Sequence, residues 1–144
     1  MVDHAFLEHE GVLAFAHRGD HQAGPENTLS AFEGAVQQGF CYLETDVHCS
    51  KDGVLLAFHD DRLDRVTNQK GRIQNLNYAD VACARVDNCE PIPLMEELLA
   101  DFPDKVIAAS FTFEGLGRPI TVDGNVFTAQ LSFVELDFPK IYAL

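Results

Sequence analysis

Apolar and polar positions along the first hundred residues follow two rhythms, and each switch between them marks an element. Val12 to Ala16 is an apolar run between Gly11 and the polar triplet His17-Arg18-Gly19, the pattern of a buried strand that stops at the histidine. Beyond Gly24-Pro25, Leu29, Phe32 and Val36 recur at helical spacing, with Asn27 or Thr28 placed to cap the helix and Gly39 to end it. Phe40 to Val47 returns to strand character and completes a β-loop-α-β unit of the kind that builds parallel sheets. Within this second strand a period of two sets Tyr42, Glu44, Asp46 and His48 on one face, and Cys41, Leu43, Thr45 and Val47 on the other. Two carboxylates therefore project side by side.

Asp52-Gly53 is a tight-turn signal, and Val54 to Phe58 is a third apolar strand that ends at His59-Asp60-Asp61. The segment from Asp46 to Val54 is too short for a crossover helix, which takes about ten to twelve residues. Two geometries remain open. A fold-back at Asp52-Gly53 sets Asp46 opposite His59, whereas parallel strands with an extended return place both at C-terminal ends. Either brings His59 toward the carboxylate pair. Asn77 to Ala84 and Pro93 to Ala100 read as helices, the latter with Leu94, Leu98 and Leu99 on one side, and Lys105 to Phe113 reads as a fourth strand. From Gly115 the texture changes: Gly115-Leu116-Gly117-Arg118-Pro119 breaks the chain and Ile120 to Phe127 reads as a hairpin. No amphipathic helix follows, as a continuing βα series requires. The expected organisation is an α/β unit over residues 1–114 and an atypical β-rich tail over 115–144.

With 144 residues, 47% of them hydrophobic and 23% charged, the chain has the composition of a soluble globular protein. It falls short of the roughly 250 residues of a closed (β/α)₈ barrel. A formal net charge of −13 repels polyanions and anionic surfaces, which weighs against nucleic acid as a partner. No apolar run approaches the ~20 residues of a membrane span. Met1 to Glu10 carries Asp3, Glu8 and Glu10 and lacks the basic start and apolar stretch of a secretory signal, so a cytoplasmic location is expected. Cys41, Cys49, Cys83 and Cys89 contain no Cys-x-x-Cys pair and are expected to be reduced thiols in packing roles.

Glu44 and Asp46 would be ordinary on an exposed sheet face. The apolar runs Phe40 to Leu43 and Val54 to Phe58 argue for a buried sheet, where unpaired carboxylates are costly and call for a cation. Hard oxygen ligands suit Mg²⁺ or Ca²⁺. His17 and His59, both at strand ends, can share acid and base roles while Arg18 grips phosphate oxygens with its planar fork. His48 shares the carboxylate face as a minor candidate; His4, His9 and His21 lack this setting. Lys51-Asp52-Gly53 reads as a turn, and Gly115-Leu116-Gly117 lacks the third glycine of a dinucleotide loop. The inventory suits metal-assisted attack on a phosphate ester.

At these residues the sequence resembles the glycerophosphodiester phosphodiesterase family, through His17-Arg18-Gly19, Pro25-Glu26-Asn27-Thr28, Glu44-Thr45-Asp46-Val47, Lys51-Asp52-Gly53 and His59-Asp60. Leu63 to Asn68, Gly71-Arg72 and Ile92 to Leu98 continue the likeness, which runs from about Val12 to Lys105. It implies a TIM barrel, here only its N-terminal half, and hydrolysis of a small glycerophosphodiester to glycerol 3-phosphate and an alcohol with a divalent metal. Carried over, His17 and His59 are the acid/base pair, Arg18 a phosphate ligand, and Glu44 and Asp46 metal ligands. The family's mechanism implies attack by the substrate's own glycerol hydroxyl and a cyclic phosphate that water opens. The family's third acidic ligand, with a lysine two residues later, falls on Ser110 and Thr112 here; Glu114 shares their face a full step further along. The chain thus reads as a truncated or rearranged family member, with impaired hydrolysis expected of it alone. The competing expectation is a non-catalytic remnant that self-associates through open sheet edges.

Overall fold

The structure, a computed structural model, describes residues 11–12, 14–103 and 105–111, and the strand residues 119–122, 125–128 and 134–136. Its elements run β1 (Phe15–His17), α1 (Leu29–Gln37), β2 (Tyr42–Cys49), β3 (Leu55–Ala57), α2 (Tyr78–Val81), α3 (Met95–Asp101), β4 (Val106–Phe111), β5 (Pro119–Val122), β6 (Asn125–Thr128) and β7 (Val134–Leu136). A 3₁₀ turn, Ile73–Asn75, precedes α2.

β2 is the spine of the sheet. It pairs in parallel with β1 (His17 beside Glu44) and with β4 (Asp46 beside Ser110), and antiparallel with β3. β7 adds antiparallel to β4, and β5 with β6 makes a separate hairpin. α1 forms where expected: the Thr28 hydroxyl accepts from the Ala31 N–H at 3.4 Å and donates to the Pro25 carbonyl at 2.7 Å. Gly39, at φ +93°, ends it with its N–H on the Val36 carbonyl. α1 and α3 cover one face of the sheet, where Phe32, Ala35, Met95, Leu98 and Phe102 pack on Leu43 and Val47. A second core, with Leu56, Phe58, Leu63, Ile73, Val81 and Val86, holds the irregular segment after β3. Alternation along β2 then leaves Glu44, Asp46 and His48 on the face away from the helices.

The fold-back geometry is the one adopted, with a corrected register. Ser50 N–H bonds the Val54 carbonyl at 2.9 Å, so the loop is Lys51-Asp52-Gly53, closed by Gly53 at φ +93°. A three-residue loop shifts the pairing by one: His48 faces Leu56, and Asp46 meets Phe58, whose N–H bonds the Asp46 carbonyl at 2.9 Å, rather than His59. β1 begins at Phe15, later than the apolar run suggested, and Val12 is exposed. α2 is shorter than the expected Asn77 to Ala84 because the Arg85 guanidinium takes the Ala82 and Ala84 carbonyls at 2.9 and 2.7 Å and the chain turns there. All four cysteines are free, but Cys41, Cys83 and Cys89 are exposed, which removes the packing role expected of them. Of the expected fourth strand, Thr112 and Phe113 lie outside the described residues, as does Glu114. Among the described residues no helix is long and apolar enough to cross a membrane.

Candidate active site

One edge of β2 is shared by two partners: β1 occupies Tyr42 to Glu44 and β3 occupies Val47 to Cys49. Between them both partners leave the sheet. Arg18 N–H takes the Glu44 carbonyl at 2.9 Å just as β1 ends, and Phe58 N–H takes that of Asp46 just as β3 ends. Backbone hydrogen bonding therefore delivers His17-Arg18 from one side and His59 from the other to the part of β2 that carries the two carboxylates.

The turn after His17 is built for this delivery. Arg18 sits at φ +58° and Asn27 at φ +57°, and the Asn27 N–H bonds the Arg18 carbonyl at 3.0 Å. Buried Asn27 is held in turn by the Thr45 hydroxyl, which donates to Oδ1 at 2.8 Å from the far face of β2. Gly19, at φ +84°, lies against α1, where an added Cβ would come within 2.6 Å of the Ala31 carbonyl carbon. Both the dihedral and the contact oppose a side chain there. Gly19→Ala is expected to cost about 2–4 kcal/mol of stability, left-handed strain and overpacking together, read as a lower urea midpoint. An unchanged midpoint would mean that the turn is not packed on α1.

Of the five residues singled out in the sequence, four pair directly here, and His59 is linked to Arg18 through Asp60, Arg65 and Glu26. His17 Nε2 lies 3.9 Å from Glu44 Oε2, and Arg18 Nε lies 3.2 Å from Asp46 Oδ2. Arg18 also reaches Glu26 Oε1 at 3.4 Å. His59 Nδ1 lies 2.6 Å from Asp60 Oδ1. Asp60 and Glu26 are joined by Arg65, which gives Nε to Asp60 Oδ2 at 2.6 Å, Nη2 to Asp60 Oδ1 at 3.0 Å and Nη2 to Glu26 Oε1 at 2.5 Å. His48 is buried on the carboxylate face and meets the His59 carbonyl at 2.8 Å through Nε2. A carbonyl only accepts, so His48 Nε2 carries a proton and fixes the backbone of His59.

Glu26, Asp60 and Arg65 lie within the family-like motifs, and the sequence alone gives them no role. Their signal was charge alone, and charged residues in loops are usually solvated. Only the fold shows that the segments Pro25 to Thr28 and His59 to Arg65 meet.

The electrostatics divide the carboxylates into two kinds. Hydrogen bonds from Arg65, opposed by burial and helped by His59, hold the Asp60 carboxyl down at about 2. Burial works to raise Glu26, but the hydrogen bond and charge of Arg65, with Arg18 and His59 adding theirs, hold it below its ordinary value. Both are anionic at neutral pH. Glu44 moves the other way: burial raises its carboxyl, the Asp46 charge raises it further, and His17 with Arg18 offset this only in part. Its Oε2 is buried without a hydrogen-bond partner. A buried anion left under-compensated beside a second carboxylate is a donor set that fits a divalent cation. Among the described residues no group of three or more acidic, histidine or cysteine side chains surrounds that position, and the residue of β4 beside Asp46 is Ser110.

Residues 17–127 match the glycerophosphoryl diester phosphodiesterase family. The chain belongs to this family. Its match to the family extends past Lys105, where the motif-by-motif likeness stops, and into the β5–β6 hairpin. A probable glycerophosphodiester phosphodiesterase 2 of Mycobacterium tuberculosis is 40% identical over 100 residues, covering 69% of this chain and 38% of the relative. Glycerophosphodiester phosphodiesterase 1 of Bos taurus is 31% identical over 140 residues, covering 91% of the chain and 40% of the relative. The chain thus spans about two-fifths of the length of these curated relatives. The crystal structure of a glycerophosphodiester phosphodiesterase from Agrobacterium tumefaciens superposes with TM-score 0.64 at 30% identity, over 69% of this chain and 46% of that one. A phosphodiesterase of Oleispira antarctica, solved with the product sn-glycerol-3-phosphate, gives TM-score 0.63 at 31% identity, over 68% and 43%. The sheet of β1, β2 and β4 with its covering helices is accordingly a partial TIM barrel.

Proposed function

We propose that this site hydrolyses glycerophosphodiesters to glycerol 3-phosphate and an alcohol, with a divalent cation, Mg²⁺ or Ca²⁺, held by Glu44 and Asp46. The observation that carries the reading is the convergence of His17-Arg18 and His59 on the Glu44–Asp46 segment of β2, fixed by backbone hydrogen bonds to the carbonyls of those two residues. Two relatives, from Mycobacterium tuberculosis and Bos taurus, carry this activity in their names and support it.

Asp60, ionised, accepts from His59 Nδ1, so the proton of the neutral ring lies on Nδ1 and the Nε2 lone pair is free. His59 is therefore the base that takes the proton of the substrate's own glycerol hydroxyl as its oxygen bonds to phosphorus, and water then opens the resulting cyclic phosphate to glycerol 3-phosphate. His17, 3.9 Å from Glu44, is the acid that gives a proton to the alcohol oxygen as the second P–O bond breaks. Arg18, oriented by Asp46 and Glu26, turns its remaining N–H groups to the phosphoryl oxygens. When bound, the cation neutralises charge on those oxygens.

The test is release of glycerol 3-phosphate from glycerophosphocholine by the purified chain. Release that stops on addition of EDTA and returns with Mg²⁺ or Ca²⁺ is expected; release indifferent to EDTA would dismiss the metal.

A further inference from the structure

Arg65 belongs to no element of the sheet, and its side chain is about half exposed, yet it makes the densest set of polar contacts in the site. Its fork closes on both oxygens of Asp60 and also spans to both oxygens of Glu26, Nη2 at 2.5 Å and Nη1 at 3.4 Å. Each carboxylate then serves a different member of the site. Asp60 Oδ1 receives His59 Nδ1, while Glu26 Oε1 receives Arg18.

We propose that Arg65 is a positioning residue that locks His59 in its Nδ1–H form through Asp60 and ties that dyad, through Glu26, to the guanidinium of Arg18. The inference rests on the acid/base reading of His59 above. A lone exposed ion pair would merit no such role, since it is worth about 0–1 kcal/mol. Here the geometry is bidentate and both partners are less exposed than the arginine, at 17% for Glu26 and 21% for Asp60. Asp60 Oδ1 has to aim at the imidazole to keep the proton on Nδ1, and without Arg65 nothing described holds its Oδ2. Lysine substitutes only in part, because its ammonium lacks the planar fork that pairs both Asp60 oxygens while spanning to Glu26.

The test compares the parent chain with Arg65→Met and Arg65→Lys in two readouts. Two-bond ¹H–¹⁵N correlation of the histidine rings, with His59 assigned from its loss in His59→Ala, shows which nitrogen bears the proton. The expected parent is Nδ1–H, with a shift toward Nε2–H in Arg65→Met and a partial shift in Arg65→Lys. Steady-state kinetics are expected to show kcat lower by about tenfold or more in Arg65→Met, with KM within about threefold. A His59 ring that keeps the same tautomer in Arg65→Met overturns the proposal, whatever the kinetics. A parent with no phosphodiesterase activity contradicts the functional reading instead, and the ring tautomer still decides the role of Arg65.

Discussion

Alanine at His17 or at His59 is expected to lower glycerol 3-phosphate release by about 100-fold or more, the usual contribution of a positioned acid or base. The two losses should differ in kind. His59 is anchored by Asp60 and by His48 on its carbonyl, whereas His17 is largely exposed with Glu44 3.9 Å away. A base is needed whatever the leaving group; an acid is needed only when the leaving alkoxide is poor. An aryl ester of glycerol 3-phosphate, whose phenolate departs without a proton, should therefore restore most of the phenolate-release rate of His17→Ala and none of that of His59→Ala. Rescue of His59→Ala instead would exchange the two roles, and full activity in both variants would remove the histidines from the reaction.

The second large effect concerns the metal. With only Glu44 and Asp46 as proposed ligands, cation binding should be weak, because affinity for hard cations follows the charge count of the ligand set. Position 110 lies directly beside Asp46 in the parallel register of β2 and β4. Opposite residues on neighbouring strands project to the same face, so a carboxylate at 110 shares the face of Glu44 and Asp46. Ser110→Glu, combined with Thr112→Lys, is expected to tighten Mg²⁺ or Ca²⁺ binding by about tenfold or more in calorimetric titration. Equal affinities would show that position 110 does not reach the pair, and the register of β4 would then have no bearing on the site.

Much of this site was legible because its parts are local. A strand that stops at a histidine, two carboxylates spaced by two on a buried strand, and Thr28 and Gly39 bracketing a helix each need only near neighbours along the chain. The family resemblance puts Ser110 where a third acidic ligand is expected, and the β2–β4 register sets it beside Asp46. What stayed hidden depends on distant segments meeting. The register of the β2–β3 hairpin turned on whether the loop held two or three residues, a difference that Gly53 at φ +93° decides. Arg65 and Glu26 are far apart in the chain, and nothing in the spacing of either signals the other. His48 reads as one more polar residue on the carboxylate face until β3 folds back and brings the His59 carbonyl to its ring. Of the two cap candidates, Thr28 takes the role, and Asn27 instead braces the Arg18 turn against Thr45.

Binding of glycerol 3-phosphate tests the site most directly, because it needs the phosphate grip and the cation but not a competent turnover. Titration of the chain with glycerol 3-phosphate in Mg²⁺ is expected to give saturable binding that disappears with EDTA, in Arg18→Met and in Glu44→Gln. Binding that is equal in all four conditions, or absent in the parent with Mg²⁺ present, would contradict the assignment of Arg18, Glu44 and Asp46 to one phosphate site.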